Sequence, residues 1–329
     1  MSKHVDRVRV VLAVSASLLG FGELACKRTE RSDANAPTPP SPSFTYTRRY
    51  TPGSSRQYRL LLEYLPAGGV PFSQTTVSRH DETARGERIT FEGLSRVTAE
   101  RKEDWSSIAR SFRGYEASIA PGCSECLALP DLATTDAHLT EPITDIHTFL
   151  VAVSPQGGVD RVHRVGDRYA VPKQVVGRWA DGTRVPIGED CITMEIVLTA
   201  LEETTATFVT SFLPPAVQCI IPARPPMTAP VTGGGPNNFQ QIEIKSASRE
   251  AMWGREQFVV TTRVRRSDGV ILDARMNNEL DLVMRTGCED ESLEHCRAEV
   301  PVKLRRKLAF QLVEGGANSA AHLAGVAPP

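Results

Sequence analysis

Regular alternation of apolar and polar residues is the feature that most constrains how this chain can fold. Residues 192–200, 205–212, 279–285 and 302–312 all show it. A period of two places one face of a strand in the core and the other in water, as in antiparallel sheets. Only 6% of the residues are aromatic, whereas 24 are glycine and 23 are proline, which suits many strands joined by turns. We therefore expect a mainly β fold of antiparallel sheets, either a sandwich or a half-barrel.

Three residue pairs have the composition of tight hairpin turns. They are Gly157-Gly158, Asp181-Gly182 and Asp268-Gly269, and glycine readily adopts the positive φ that such turns require. The first and third are predicted to connect pairs of strands and together hint at an internal repeat. The predicted strands are Phe149–Val153 with Val159–Val165, and Phe258–Val264 with Val270–Ala274.

One segment has a helical period. Trp105, Ile108 and Phe112 are spaced by three and four residues within the charged stretch 98–113. This spacing predicts a short helix that covers the sheet. A strand over residues 108–119 is the alternative interpretation.

The N-terminus has the composition of an export signal. Basic residues precede Val10–Gly22, an uncharged apolar run of 13 residues. As a helix this run would rise about 20 Å, too little for a hydrocarbon core of about 30 Å. We interpret residues 1–25 as a signal peptide.

The residues that follow the apolar run resemble the lipobox of bacterial lipoproteins. Small residues precede a cysteine in Glu23-Leu24-Ala25-Cys26, although Glu23 occupies a position that is normally apolar. The resemblance implies that Cys26 is lipidated and becomes the mature N-terminus. Residues 26–43 are polar and Pro-rich and are predicted to form a disordered tether. We expect a chain anchored by its lipid in the cell envelope, at the outer membrane, facing the periplasm or the cell surface.

Composition also divides the remaining chain. We expect a β-rich lobe over residues 44–221, a Pro- and Gly-rich loop or linker over 222–238, a continuation or second β-rich lobe over 239–313, and a disordered tail over 314–329. The strand–Gly–strand segments, the Gly177–Thr183 segment with Trp179, and the long later strands resemble a group of uncharacterised β-rich envelope lipoproteins. That resemblance implies an exported all-β domain and no catalytic residues.

The cysteine count agrees with export. Seven cysteines are an odd number, and lipidation of Cys26 would leave six for disulfides in an oxidising compartment. Proximity in sequence ranks the pairs Cys123–Cys126, Cys191–Cys219 and Cys288–Cys296 first among the 15 connectivities that six cysteines allow. The last pair would close a loop that contains four acidic residues. We expect this loop to be solvated and free of metal.

The sequence contains no recognisable catalytic or cofactor motif. Nucleophile-elbow, zinc-protease and phosphate-loop patterns are missing. We expect no metal and no cofactor. His80-Asp81, Asp136/His138, Asp145/His147 and Asp160/His163 are neighbours in sequence, and we interpret these histidines as surface residues.

Arg306 departs from the apolar pattern of its strand. It falls in phase with Leu304, Leu308 and Phe310, on the face predicted to point inward. A β-bulge could turn it outward, a buried carboxylate could pair with it, or it could point into a ligand cavity.

Three classes of function are compatible with the sequence. The first is a non-catalytic envelope protein that binds another envelope protein or has a structural role. The second is a carrier of lipid or another hydrophobic ligand in a half-open barrel, and the third is a hydrolase of unrecognised type. The near-neutral charge of −1 gives no reason to expect nucleic acid as a partner. A carrier requires a large apolar cavity, whereas a binding or structural module has a filled interior.

Overall fold

A computed structural model describes most of the chain beyond the expected tether. The described residues are 42–84, 86–117, 135–152, 162–170, 176–178, 184–186, 193–213, 239–245, 248–289 and 295–313. The signal peptide, Cys26, nearly all of the tether, the 222–238 segment and the tail lie outside these residues. So do the Gly157-Gly158 and Asp181-Gly182 pairs.

The fold is mainly β and antiparallel, as the alternation predicts. Its long strands have 11 to 18 residues, and strands of three residues lie near the edges. The strands are β1 Ser43–Thr45, β2 Ser55–Pro66, β3 Phe72–Glu82, β4 Glu87–Thr98, β5 Lys102–Asp104, β6 Tyr115–Ala117, β7 Val162–Arg164, β8 Arg168–Ala170, β9 Val176–Arg178, β10 Arg184–Pro186, β11 Thr193–Leu201, β12 Thr205–Leu213, β13 Phe239–Lys245, β14 Ser248–Arg265, β15 Ile271–Cys288 and β16 Ala298–Val313.

Twelve of these strands form one sheet that is not closed. Its order is β5-β4-β3-β2-β16-β15-β14-β12-β11-β8, with β6 added beside β4 and β13 beside β14. The last long strand, β16, lies between β2 and β15, so it joins the N-terminal and C-terminal strands. Strands from both sides of residues 222–238 therefore belong to the same sheet.

The predicted apolar faces form the core of this sheet. Phe208 on β12, Leu282 on β15 and Phe310 on β16 are buried, as their alternation predicts. The Asp268-Gly269 turn joins β14 to β15, also as predicted. Gly269 has a φ of 69°, and a Cβ at this position would lie 2.5 Å from the Thr47 carbonyl oxygen. Glycine is thus required both by the turn and by close packing against the N-terminal segment.

Two helices pack against the inner face. The predicted covering helix is present as α1, Ser106–Ser111, and the flanking Trp105 and Phe112 pack on the core. The alternative interpretation was a strand over 108–119. Within the described part of this range, only Tyr115–Ala117 is a strand, β6. The second helix, α2, spans Ala137–His147 and continues as a π-helical turn, Thr148–Ala152.

The predicted strand Phe149–Val153 is wrong. Its first four residues form the π-helical turn, and Phe149 and Leu150 are buried in the same core cluster as Leu139, Ile143 and Ile146 of α2. These positions recur at a helical period, which overrides the local β propensity of the segment. The Phe149–Val165 segment is therefore not a repeat of the β14–β15 hairpin.

Helices among the described residues are short. None of them combines the length and apolar character needed to cross a bilayer.

Candidate functional site

Arg306 binds two carboxylates of α2 inside the core. Its side chain is only 2% exposed, and Nη2 donates to Asp145 Oδ1 at 2.6 Å and to Asp145 Oδ2 at 2.8 Å. The same nitrogen lies 3.3 Å from Glu141 Oε1, which is one helical turn earlier. Of the three environments left open by the sequence, the structure selects the buried carboxylate partner.

Two more polar side chains extend this cluster along the sheet. Asn278 lies beside Arg306 in the β15–β16 register, and its Nδ2 donates to Glu256 Oε1 on β14 at 2.7 Å. All three side chains are buried. Asn278 Oδ1 and Arg306 Nε are buried atoms without a hydrogen-bond partner among the described residues. Arg306, Asn278 and Glu256 form a polar row, and this row separates the main core from a smaller apolar cluster around Leu282 and Met284.

Arg306 faces three carboxyl groups in this cluster, and Arg96 also acts on Glu141. Burial raises the pKa of Glu141 to about 7, even though Arg306 opposes the shift. Burial likewise raises the pKa of Glu256. Burial alone would lower the pKa of Arg306, but the charge of Asp145 outweighs this effect and keeps the guanidinium protonated. The arrangement is a buried ion pair of Arg306 and Asp145, flanked by Glu141 and Glu256, whose pKa values are raised by burial.

Helix α2 packs its apolar side chains into the main core on the inner face of the sheet, and we call the place that it occupies the hollow. The Phe149 ring, directly after the helix, stacks on Phe310 with centroids 5.5 Å apart, and Phe310 stacks on Tyr58 at 4.4 Å. Asp136 caps the N-terminus of the helix by accepting a hydrogen bond from the His138 amide at 2.9 Å. Aromatic stacking and the Arg306 ion pair therefore hold α2 against the sheet.

A second buried cluster lies on β3 and β4. The Ser78 Oγ is 3.0 Å from His80 Nε2, and His80 Nδ1 is 2.8 Å from Glu87 Oε2. This order of hydroxyl, imidazole and carboxylate resembles the hydrogen-bond chain of a catalytic triad. Ser78 and His80 are each 1% exposed, and Tyr58 packs on the imidazole with centroids 4.6 Å apart. A substrate has no access to this hydroxyl, so the geometry supports a structural role.

Two arginines connect this cluster to the N-terminal segment. Arg48 pairs with both Glu82 and Glu87, and Arg56 pairs with Glu82. Glu82 Oε2 also accepts hydrogen bonds from the Thr51 amide at 2.7 Å and the Ser54 hydroxyl at 2.6 Å. The segment that precedes β2 is thereby bound to the end of the β3–β4 hairpin.

Glu87 remains ionised despite its burial. Burial alone would raise its pKa, but the hydrogen bond from His80 and the charge of Arg48 outweigh this and hold the pKa at about 2. The cluster is thus a satisfied charge network, which is the condition for placing ionised groups in a core.

The interpretation of the histidines as surface residues is wrong for His80 and His163, which are both buried. His80 contacts Glu87 and not its sequence neighbour Asp81. Among the described residues, the sequence neighbours His138 and Asp136 do contact one another, with 2.7 Å between Nδ1 and Oδ1. The error arises because the partner of His80 lies on the neighbouring strand of the β3–β4 hairpin. The register between these two strands cannot be inferred from the local sequence.

Asp145 and His147 do not act as a pair either. Asp145 binds Arg306, whereas burial lowers the pKa of His147 to about 4, so this imidazole is neutral at physiological pH. Asp160 lies outside the described residues.

One predicted cysteine pair is present. Cys288 and Cys296 form a disulfide at the end of the β15–β16 hairpin. Cys26, Cys123, Cys126, Cys191 and Cys219 lie outside the described residues, so their pairing and lipidation stay predictions.

Within the described ranges, no three His, Cys, Asp or Glu side chains gather in a way that could hold a metal ion. Two open surface pockets occur in this part of the chain. One is lined by Leu65, Arg255 and Lys303, and the other includes Arg263 and Arg275. The first combines apolar and charged lining residues and the second is mainly polar, and both are open to solvent, unlike an enclosed apolar ligand cavity.

Comparisons with known proteins assign no family. No family model matches the chain, and no curated protein matches it. A solved structure described as lipid–protein interactions in lipovitellin is similar over 80% of this chain, with 8% identity and a TM-score of 0.36. The match covers 25% of that chain, so this protein spans about a quarter of its length. Similarity of this degree does not indicate a function.

Proposed function

We propose that this chain is a lipid-anchored envelope protein whose β-sheet is a non-catalytic binding or structural module. The observation that carries the proposal is that α2 occupies the hollow of the sheet and is bound there by Arg306. A filled interior leaves the outer surface as the place where a partner binds.

The energy needed to empty the hollow supports this proposal. Leu139, Ile143, Ile146, Phe149 and Leu150 are each 4% exposed or less. At about 1.5–3 kcal/mol per large apolar side chain, exposing all five would cost on the order of 10 kcal/mol. This is comparable with the whole stability of an ordinary domain, about 5–15 kcal/mol. A ligand would therefore have to replace nearly all of these contacts to displace α2.

The anchor is tested by fractionation of cells that express the full chain. The Cys26→Ser variant should move from the membrane pellet to the soluble fraction, because the acyl chains are lost while the fold is unchanged. A serine variant that stays in the pellet, with no acyl mass on the wild type, would contradict the anchor.

The filled interior is tested on the Cys26→Ser protein, in which no covalent lipid obscures the result. Organic extraction followed by mass spectrometry should recover no stoichiometric lipid from the purified protein. Recovery of about one lipid per chain would contradict the module and favour a carrier.

A carrier of lipid or another hydrophobic ligand is the second candidate. The sheet is not closed, and the polar row of Arg306, Asn278 and Glu256 crosses its inner face next to apolar clusters. In a carrier, an amphipathic ligand would replace α2 and place its polar group near Arg306. A fluorescent fatty acid should then bind saturably to the wild type and lose affinity in Arg306→Met; absence of saturable binding would remove this candidate.

A further inference from the structure

The N-terminal segment and the disulfide loop lie at opposite ends of the sheet. Tyr46 donates its hydroxyl hydrogen bond to the Gly269 carbonyl at 3.0 Å, and the Arg49 amide donates to the Asp268 carbonyl at 2.8 Å. β15 begins directly after this turn and runs for 18 residues to Cys288. At about 3.4 Å per residue, the two ends are about 60 Å apart. We call the turn end the proximal end and the disulfide end the distal end.

The exposed surface near the proximal end combines apolar and basic side chains. β1 pairs with β7, with Ser43 opposite Arg164 and Thr45 opposite Val162. Val162 is 55% exposed and Val165 is 39% exposed. Arg49 and Arg164 are exposed as well. Asp167, which accepts a hydrogen bond from the Arg164 amide, is the exposed carboxylate next to them. Exposed valine and arginine side chains at one end of a module fit the boundary between lipid headgroups and acyl chains.

The loop beyond the distal end is acidic in sequence, although Arg285 lies on the strand that leads into it and Arg297 directly precedes the strand that leads out of it. The sequence between Cys288 and Cys296 contains the carboxylates of Glu289, Asp290, Glu291 and Glu294 and no lysine or arginine. An anionic lipid surface would repel this loop at distances within a Debye length, about 8 Å at physiological salt.

The length of chain before β1 also distinguishes the two ends. About 16 residues separate Cys26 from Ser43. Fully extended they reach no more than about 60 Å, and as the predicted polar tether they would have a root-mean-square span of about 20–25 Å. A distal end in contact with the bilayer would require this segment to be stretched to its limit.

We propose that the proximal end of the sheet, with Val162, Arg164, Val165 and Arg49, contacts the anionic headgroups of the bilayer that holds the lipid anchor. The sheet then stands away from the membrane and presents its distal end, with the acidic loop, to the surroundings. This inference rests on the proposed lipid anchor and adds the orientation of the module and the surface that faces the lipid.

Three exposed valines of nearly equal exposure provide matched probe sites. Val165 near the proximal end is 39% exposed, Val259 in the middle strands is 41% exposed, and Val300 towards the distal end is 37% exposed. Each is replaced by cysteine in the lipidated full chain and labelled with a fluorophore without reduction. The proteins are reconstituted into vesicles of phosphatidylethanolamine and phosphatidylglycerol that contain a headgroup-attached quencher.

The label at position 165 should lose most of its emission, the label at 259 less, and the label at 300 none. Equal quenching at the three positions, or stronger quenching at 300, would overturn the orientation. Replacement of phosphatidylglycerol by phosphatidylcholine should weaken quenching at position 165. Arg49→Glu combined with Arg164→Glu should weaken it as well. Arg275→Glu, on the outer sheet face, is the control and should leave quenching at position 165 unchanged.

Flotation of the vesicles separates the two proposals. Protein that floats with the vesicles but fails the quenching order retains its anchor and contradicts only the orientation. Protein that does not float, and behaves like Cys26→Ser, contradicts the anchor and with it the orientation.

Discussion

Arg306 on β16 and Asp145 on α2 are 161 positions apart in sequence, and the guanidinium and carboxylate are 2.6 Å apart in the fold. The pair fixes α2 in the hollow at one rotational setting, because an arginine removed from water must meet a carboxylate. A buried pair of this kind is weak evidence for stability but can define which of several packings is adopted. We expect that role for Arg306, and it leads to the first prediction.

Arg306→Met should destabilise the fold by about 3–5 kcal/mol, because it leaves the Asp145 carboxylate buried without its cation. Arg306→Met combined with Asp145→Leu should recover much of this loss, since no charge is then buried. Urea unfolding of the single and double variants measures both effects. Losses that simply add in the double variant would show that the two side chains are not coupled.

Arg305→Met is the matched control for this experiment. Arg305 is the preceding residue on the same strand, but it is 59% exposed and contacts Glu279 at 3.2 Å on the outer face. Surface pairs of this kind contribute about 0–1 kcal/mol, so the substitution should change stability little.

The inner faces of the long strands could be predicted from sequence, whereas the helix in the hollow could not. A period of two directly determines which residues share a face, as Phe208 and Leu282 show. Pro142 inside α2 and the β-branched residues around it hide a helical period that begins at the Asp136 cap. The cap, followed by apolar residues at helical spacing, was the signal that could have revealed it.

The His80 network could not be predicted for a different reason. The β3–β4 register brings the partner residues together, and this register shifts at a bulge between Val77 and Ser78. Bulges depend on packing across strands and leave no local sequence pattern here. For Arg306, the sequence did predict that the side chain points inward. It did not predict that its partner would be a carboxylate on a helix.

Glu141→Gln should change how stability depends on pH. The folded-state pKa of Glu141 is raised to about 7 from an ordinary value of 4.5. The folded state therefore holds this proton more tightly, and the stabilisation is fully present below pH 4.5 and is lost as pH rises through 7. Urea midpoints at pH 5 and pH 8 should show a gain for the variant, relative to wild type, only at the higher pH. A difference that is constant with pH would contradict the prediction.

Glu87→Gln should have the opposite dependence. The pKa of Glu87 is lowered to about 2, so its stabilisation is present above pH 4.5 and is lost as pH falls through 2. The variant should be less stable than wild type at pH 7 by roughly 3 kcal/mol, the equivalent of the shift in pKa. The deficit should shrink between pH 4.5 and pH 2, as followed by circular dichroism during acid titration.

Asp81→Asn controls for a change of charge at the same place. Asp81 is close to Glu87 in the hairpin, but its side chain is 39% exposed and pairs with the exposed Arg79. A loss at pH 7 as large as that of Glu87→Gln would mean that the buried network has no special contribution.

Removal of the Cys288–Cys296 disulfide should lower stability without altering the main sheet. The bridge closes a loop with a sequence separation of 8 residues at the distal end, beyond the last pairing of β15 with β16. The chain-entropy estimate for so short a loop is about 2–3 kcal/mol. Cys288→Ser combined with Cys296→Ser should therefore shift the urea midpoint, while hydrogen exchange of the β2 and β3 amides keeps its pattern. Because Arg249 opposes Cys288 in the β14–β15 register, faster exchange should be confined to this end of the hairpin. Loss of protection throughout the sheet would instead mean that the distal hairpin is needed for the fold as a whole.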